Sequence, residues 1–360
     1  MDPDLLAAIR GYLVRDFDPE RRTAMLAASG EDPALLADAA ELGWPALVVP
    51  EEHGGLGLHP ASLVPVFEEF GRRLVTGPML EHLLVPGLLL RMGPGADGAA
   101  SRLAAVVAGE ARVAVADPGI TQDWQGQNGA LRVVGERLHG RLELVRFGTA
   151  ANEFVVVADA GGETALALVA AGESGVAVTD RPSGDPGAGY ARVAFDDVAA
   201  AVLLRGASAA AAVESLRAWQ RVLIAAELTG IARHLLDLSL DYIKQRQQFD
   251  RSIASFQAVR HIAASAAQRV LQLESFCAAV AADAPNLTVS ELALAALTLK
   301  ATAAESARSV CEDALQLHGG IGFTHEYELH WYYKRALALR AWYGDERELS
   351  IQVGRRRLSA

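Results

Sequence analysis

Cysteine is scarce in this sequence, with only Cys277 and Cys311 among 360 residues. Two thiols are too few for a disulfide scaffold or a cysteine-rich zinc site, and they are compatible with a reducing compartment. Long apolar runs are also missing, because no stretch of about 18 apolar residues is available to span a bilayer. Residues 1–22 contain no basic segment followed by an apolar one, so no signal peptide is expected. We therefore expect a cytoplasmic protein without a membrane-spanning segment.

Basic residues are outnumbered as well: 33 Lys and Arg stand against 44 Asp and Glu, which leaves a formal net charge of −11. That balance excludes the basic surface that nucleic-acid binding requires, and it excludes a polybasic membrane anchor. The composition is 51% hydrophobic and 21% charged, which excludes disorder over the whole chain. Because one domain usually has roughly 100–200 residues, we expect two or three domains.

The sequence pattern changes twice along the chain. Residues 1–112 predict an N-terminal helical domain, in which Asp32 and Pro33 are typical of the first turn of a helix ending at Gly43. Residues 113–205 contain short apolar runs separated by turns, which predicts a middle β-domain, a sheet or a barrel. Residues 206–360 contain long Ala- and Leu-rich segments, which predicts a C-terminal four-helix bundle. The predicted fold class is mainly α with a central β-domain. The expected strands are 112–116, 131–134, 142–145, 154–157, 165–169, 176–178 and 191–195, and the expected bundle helices are 211–245, 256–282, 290–317 and 327–342.

One candidate ligand-binding cluster runs from Arg246 through Phe249 to Phe256 and Gln257. A guanidinium group matches phosphate oxygens bidentately, so an Arg at a helix end followed by Phe and an amide suits a nucleotide. The alternative is a charged helix terminus with both phenylalanines in the core.

A second cluster comprises Gln316, His318, Gly319, Gly320 and Gly322. Glycines let a bulky ligand approach the backbone closely, whereas the alternative is a simple glycine cap that closes a helix. The segment lacks the Lys-Ser/Thr of a P-loop, and no strand–GxGxxG–helix unit indicates a Rossmann site. The histidines of this region, which include His325 and His330, show no metal-ligand spacing.

Taken together and in order, the motifs resemble those of the acyl-CoA dehydrogenase family. The matching segments are 41–57, 116–119, 193–198, 246–257 and 316–322. The resemblance implies an N-terminal helical domain, a middle β-domain, a C-terminal four-helix bundle and a dimer-of-dimers assembly with FAD between two subunits. By the same resemblance, the residues expected to hold the flavin nucleotide are Arg246, Phe249, Gln257, Gln316, Gly319 and Gly320.

The half of the family motif that contacts the flavin ring is altered. The family's T-E-P-x-x-G-S motif is reduced to Ala116-Asp117-Pro118-Gly119-Ile120-Thr121, and the stretch 142–148 carries no W-[IV]-[ST]-N. Thr121 remains a candidate hydrogen-bond donor to the flavin, and Trp124 a candidate stacking group. The alternatives are a turn residue and a core aromatic residue.

The general base of the family is absent from both of its usual positions. The resemblance places the usual Glu at Tyr343, before Gly344, and a phenol with a pKa of about 10 is a poor base at neutral pH. The second position is Gln220, an amide without basicity. Asp345 is the nearest replacement, and the alternative is that it is only a loop carboxylate. Glu227 is expected to be a buried or paired structural acid.

Three functional hypotheses follow from the resemblance. The first is an FAD-dependent acyl-CoA dehydrogenase that forms a hetero-oligomer, as in bacterial members that attack steroid side chains. In that case this chain completes the nucleotide half of a homologous subunit's flavin site, an acyl-CoA is the substrate and an electron-transfer flavoprotein is the acceptor. The second is a homo-oligomeric dehydrogenase that uses Asp345. The third is a redox-inactive scaffold that binds CoA esters.

Overall fold

The N-terminal part of the chain is helical in the computed structural model, which describes residues 3–93, 98–120 and 131–358. Asp32 accepts a hydrogen bond from the Leu35 N–H at 3.0 Å, and Pro33 occupies the first helical position, as predicted. Gly43 follows this helix with a left-handed φ of 74°, so the predicted stop is also confirmed. The helices of this part are α1 (Pro3–Asp16), α2 (Pro19–Ala27), α3 (Pro33–Glu41), α4 (Val64–Arg73), α5 (Met79–Arg91) and α6 (Ala99–Val107).

The middle part forms one mixed sheet of eight strands. Its strands are β1 (Val113–Ala116), β2 (Arg132–Val134), β3 (Arg137–Arg146), β4 (Glu153–Asp159), β5 (Thr164–Ala170), β6 (Val176–Arg181), β7 (Tyr190–Ala199) and β8 (Ala201–Arg205). The order is β6-β7-β3-β2-β4-β5-β8, and β1 pairs with β4 in parallel. Every expected strand is present. The sequence gives no sign of β8, because only Ala200 separates it from β7, without a Gly or Pro to mark the turn.

Both faces of the sheet are buried at β4, which places the middle part against the helices. Phe154 and Val156 pack in a core within the β-domain, and Phe154 meets Phe195 edge to face at 5.9 Å. Val155 and Val157 point to the opposite face and belong to the main core, which they share with the helices. This alternation follows the two-residue period of a strand.

The C-terminal part contains the four predicted helices and one more. They are α7 (Gly206–Gln245), α8 (Gln257–Asp283), α9 (Val289–His318), α10 (Leu329–Ala341) and α11 (Glu346–Leu358). A short hairpin of β9 (Gln247–Gln248) and β10 (Arg251–Ser252) joins α7 to α8. The basic run 355–357 lies in the last turn of α11.

Gly230 allows α7 to lie directly against α4. A Cβ atom at Gly230 would lie 2.0 Å from the Glu68 carbonyl oxygen, and one at Gly71 would lie 2.0 Å from the Glu227 carbonyl oxygen. Gly230 on α7 and Gly71 on α4 therefore allow close helix packing at this crossing. Among the described residues, no helix is long and apolar enough to cross a membrane.

Candidate functional site

Arg246 lies at the exact end of α7 with its side chain in solvent. Its backbone N–H donates to the Tyr242 carbonyl at 2.8 Å, and its own carbonyl accepts from the Ile253 N–H at 2.9 Å. The side chain is exposed and makes no ion pair within the described part of the chain. These hydrogen bonds thus fix the Arg246 backbone, while the charge of its side chain remains available to an anion.

Phe249 projects from the tip of the β9–β10 hairpin and is 86% exposed. Its backbone has a left-handed φ of 53°, which is uncommon for a residue other than glycine. Its ring meets Phe256 edge to face at 6.2 Å. The alternative that placed both phenylalanines in the core is wrong for Phe249, whereas Phe256 is partly buried. Gln257, also exposed, begins α8.

The glycine segment at the end of α9 is equally open. Gln316, Gly319 and Gly320 are exposed, and a Cβ atom at either glycine would meet nothing within 4 Å. His318 is buried instead, with Nε2 2.9 Å from the Tyr327 hydroxyl and Nδ1 2.8 Å from the Ala314 carbonyl oxygen. Burial lowers the pKa of His318. The two hydrogen bonds of its ring anchor this end of α9.

A small apolar cluster joins these two segments. Ile243 from α7, Ala263 from α8 and Leu317 from α9 pack together. The helix ends that carry Arg246, Gln257 and Gln316 therefore converge. We call the six exposed residues of this region the clamp; its members are Arg246, Phe249, Gln257, Gln316, Gly319 and Gly320.

Tyr343, which the family resemblance aligns with the usual base, lies inside the protein with 2% of its surface exposed. Burial raises its pKa well above the ordinary value; Asp117 and Glu81 raise it further, against opposing effects of Arg146 and Arg217. The phenol is therefore neutral at physiological pH. Gln220 is completely buried, and neither of its amide atoms has a hydrogen-bond partner among the described residues.

The two remaining acids have structural partners. Asp345 Oδ1 accepts the Glu348 N–H at 2.8 Å, as a residue that caps the N-terminus of α11 does. Glu227 is buried and accepts from Arg335 Nε at 2.8 Å, in agreement with its predicted structural role.

The stretch 142–148 contributes a buried cation that sequence reasoning missed. Arg146 is 4% exposed and lies 3.4 Å from Glu81, measured from Nε to Oε1. Its guanidinium group lies over the rings of Trp342, at 5.5 Å, and Phe147, at 5.6 Å. The strand of Arg146 also carries Arg141 and Glu143, so the sequence alone does not mark Arg146 as the buried charge. Arg146 thus lies in the stretch 142–148, for which the family resemblance would have predicted the Ser or Thr of W-[IV]-[ST]-N.

Asp117, in the reduced T-E-P motif, forms a bidentate pair with Arg217. The Arg217 Nε and Nη2 atoms lie 2.8 and 2.5 Å from its oxygens, and the Gly119 N–H donates to the same carboxylate at 2.8 Å. A Cβ atom at Gly119 would lie 2.3 Å from Arg217, so the glycine gives the guanidinium group room. Thr121 and Trp124 lie outside the described residues.

Two cavities lie near these buried residues, one lined by Arg217 and the other by Trp342. One of about 330 Å³ lies between β5, α7 and α11, and three arginines are among its lining residues: Arg217, Arg221 and Arg356. Burial, together with the nearby Arg217, lowers the pKa of Arg221 to about 10. The other cavity, of about 490 Å³, lies beside β3, β7 and α10 and is walled by Leu144, Tyr190 and Trp342. In the described residues, no group of three or more His, Cys, Asp or Glu side chains is placed to hold a metal ion.

Comparison with known proteins identifies the family. Residues 4–96 match the model of the acyl-CoA dehydrogenase N-terminal domain, and residues 205–358 match that of the acyl-CoA dehydrogenase C-terminal domain. The acyl-CoA dehydrogenase IpdE2 of Mycobacterium tuberculosis is 31% identical over 317 residues, 88% of this chain and 84% of that protein. FadE34 of the same organism is 30% identical over 86% of this chain, which spans only 40% of its length. This chain therefore belongs to the acyl-CoA dehydrogenase family, whose members are flavoprotein oxidoreductases.

Solved structures agree with this fold. The ChsE4–ChsE5 complex from Mycobacterium tuberculosis has a TM-score of 0.88 at 24% identity, over 99% of this chain and 97% of that chain. A variant of the steroid acyl-CoA dehydrogenase Tcur3481–Tcur3483 has a TM-score of 0.85 at 25% identity, over 98% and 96% of the two chains. The predicted family and fold class are thus confirmed.

Proposed function

We propose that this chain is one subunit of a hetero-oligomeric, FAD-dependent acyl-CoA dehydrogenase that introduces an α,β double bond into an acyl-CoA. In this proposal the clamp completes the nucleotide half of a homologous subunit's flavin site. The observation that carries it is the contrast between the clamp, which is exposed and complete, and position 343, where a buried neutral phenol replaces the carboxylate. Two similar structures, ChsE4–ChsE5 and Tcur3481–Tcur3483, are named as pairs of proteins, which supports a homologous partner.

The clamp residues fit the nucleotide part of FAD. Within the described residues the Arg246 guanidinium group has no ion-pair partner, and it suits a pyrophosphate; Gly319 and Gly320 leave open space for close approach of a ligand. The exposed Phe249 ring would leave water on contact with a ligand or a partner chain. When bound, FAD supplies the hydride acceptor. The chain's own contribution is to neutralise phosphate charge and to orient the nucleotide.

Proton removal is assigned to the partner subunit. Desaturation requires a carboxylate positioned to take the proton next to the thioester carbonyl. Tyr343 is neutral, Gln220 has no basicity and the Asp345 carboxylate caps α11. The homo-oligomeric alternative based on Asp345 therefore gains no support from this geometry.

The arginine-lined cavity supports recognition of an anionic ligand such as a CoA ester. Arg217 is paired with Asp117, and Arg356 with Glu214 at 2.8 Å. Arg221 makes no ion pair in the described part of the chain and adds an uncompensated positive charge. An electron-transfer flavoprotein remains the proposed acceptor on the basis of the family resemblance.

The test is FAD retention by the complex assembled from this chain and a homologous subunit that carries the Glu. Loss of a charged hydrogen-bonded contact costs about 1.5–3 kcal/mol, so Arg246→Ala should weaken FAD retention roughly 10- to 150-fold. Arg251→Ala is the matched control, because Arg251 lies in the hairpin that follows Arg246. Its guanidinium group stacks on Phe256, 4.2 Å from the ring centroid.

Each outcome separates the hypotheses. Unchanged FAD content in a normally assembled Arg246→Ala complex would contradict the proposed role of the clamp. Tight FAD binding and acyl-CoA turnover by this chain alone would favour the homo-oligomeric dehydrogenase. A complex that binds CoA esters but never FAD would favour the redox-inactive scaffold.

A further inference from the structure

The loop between α10 and α11 is held in an unusual conformation. Tyr343 has a left-handed φ of 56°, and Gly344 follows with a φ of 102°. A bulky aromatic residue rarely adopts this region, so the surrounding structure must impose it. The same loop buries both Trp342 and Tyr343.

Two buried cations from different helices donate hydrogen bonds to the backbone of this loop and of the helix end before it. Arg221 on α7 donates from Nε to the Tyr343 carbonyl at 3.0 Å. Lys300 on α9 donates from Nζ to the Arg340 carbonyl at 3.0 Å and to the Gly344 carbonyl at 3.1 Å. Three carbonyls at the end of α10 and in the loop therefore accept bonds from positive groups, which also suit the negative end of a helix dipole.

Lys300 is the unexpected member of this arrangement. It is completely buried, although lysine is almost never buried without a partner. Its ammonium group makes no ion pair within 4.0 Å in the described part of the chain, and the two carbonyls are its hydrogen-bond acceptors. A long, desolvated cation placed against a strained loop indicates a role in fixing that loop.

We propose that Lys300 is a positioning residue that keeps the Tyr343 ring inside the protein by tying both sides of its loop to α9. Removal of the Nζ contacts frees the Gly344 carbonyl and relaxes the left-handed backbone, and the ring then becomes accessible to solvent. This inference concerns the chain itself and does not depend on the proposed function.

Burial and the charged groups around Lys300 make its hydrogen bonds to the loop sensitive to pH. Burial, together with the nearby Arg221 and Arg340, lowers the pKa of Lys300 to about 7 against the opposing effects of Glu346 and Asp345. A neutral amine retains two N–H groups but loses the charge that strengthens its bonds to the carbonyls. As the pH rises through neutrality, the bonds to the carbonyls therefore lose their charge assistance, while the cost of burying a charged amine is relieved.

The experiment uses the full chain labelled with fluorotyrosine and observed by fluorine NMR. Tyr343→Phe identifies the Tyr343 signal among the seven tyrosines. In the parent protein this signal should show no solvent isotope shift between H2O and D2O, and its position should titrate with a midpoint near 7. In Lys300→Met the signal should gain a solvent isotope shift and lose the titration, and Lys300→Arg should restore part of the protection.

Lys244→Met is the matched control, because Lys244 is exposed at the end of α7 and contacts only Asp241 in the described residues. It should leave the Tyr343 signal unchanged. A protected Tyr343 signal in folded Lys300→Met would overturn the proposal. If Lys300→Met does not fold, Lys300→Gln takes its place, because its shorter side chain ends before the loop carbonyls; a Tyr343 signal as protected as in the parent protein would then overturn the proposal.

Discussion

Replacement of Arg335 by Met should cause one of the largest losses of stability available to a single change in this protein. Arg335 lies on α10, is 2% exposed and joins three parts of the chain. Its Nε donates to Glu227 on α7 at 2.8 Å, and its Nη1 donates to Asp185 at 3.3 Å and to the Gly187 carbonyl at 3.2 Å. Burial alone would lower the pKa of Arg335, but the two carboxylates raise it above its ordinary value.

The magnitude follows from what the substitution leaves behind. Met fills a similar volume, so the main cost is two buried carboxylates without their cation. Breaking a buried ion pair by removing one partner typically costs about 3–5 kcal/mol. At about 2–4 °C per kcal/mol for domains of 150–250 residues, the melting temperature should fall by roughly 6–20 °C.

Thermal unfolding followed by circular dichroism measures this fall, and two further variants interpret it. Arg137→Met is the surface control, because the Arg137–Asp197 pair has side chains that are 49% and 61% exposed; its melting temperature should barely change. The triple variant Arg335→Met, Asp185→Asn, Glu227→Gln removes the stranded charges and should recover part of the loss. A fall no larger than that of the surface control, or no recovery in the triple variant, would refute the reasoning.

The remaining predictions concern pH and the candidate base. His82 is buried and accepts the Val113 N–H at 3.3 Å; burial lowers its pKa to about 4, below the roughly 6.5 of an unfolded chain. Stability should therefore be lost as the pH falls from about 6.5 to about 4, and His82→Gln should flatten that slope in urea titrations. Asp345→Asn should leave flavin reduction by the assembled complex nearly unchanged in stopped-flow measurements, because an amide oxygen can still cap α11, whereas loss of a general base costs about 10²–10⁴ in rate. Tyr343→Phe should be similarly silent in the same assay, because its phenol is neutral and takes no proton.

Local rules of the sequence were enough for most of the helices and strands. A helix start needs only a capping carboxylate followed by proline, as at Asp32 and Pro33, and a strand buried on both faces shows itself as a short apolar run, as at 154–157. The six residues of the clamp follow from the family resemblance and not from local rules, and their role in nucleotide binding stays a prediction. Their convergence required the fold, since it depends on the packing of Ile243 with Leu317.

Only the tertiary structure decided the chemistry of the interior. The structural partner of Glu227 is a guanidinium group that is distant in the sequence, and the partner of Arg146 on β3 is a glutamate on α5. Asp345 became a helix cap because α11 begins directly after it, and that helix has too weak an apolar pattern to be recognised in advance. Charges acquire such roles through desolvation and through partners that only folding brings within a few ångströms, so no local pattern encodes them.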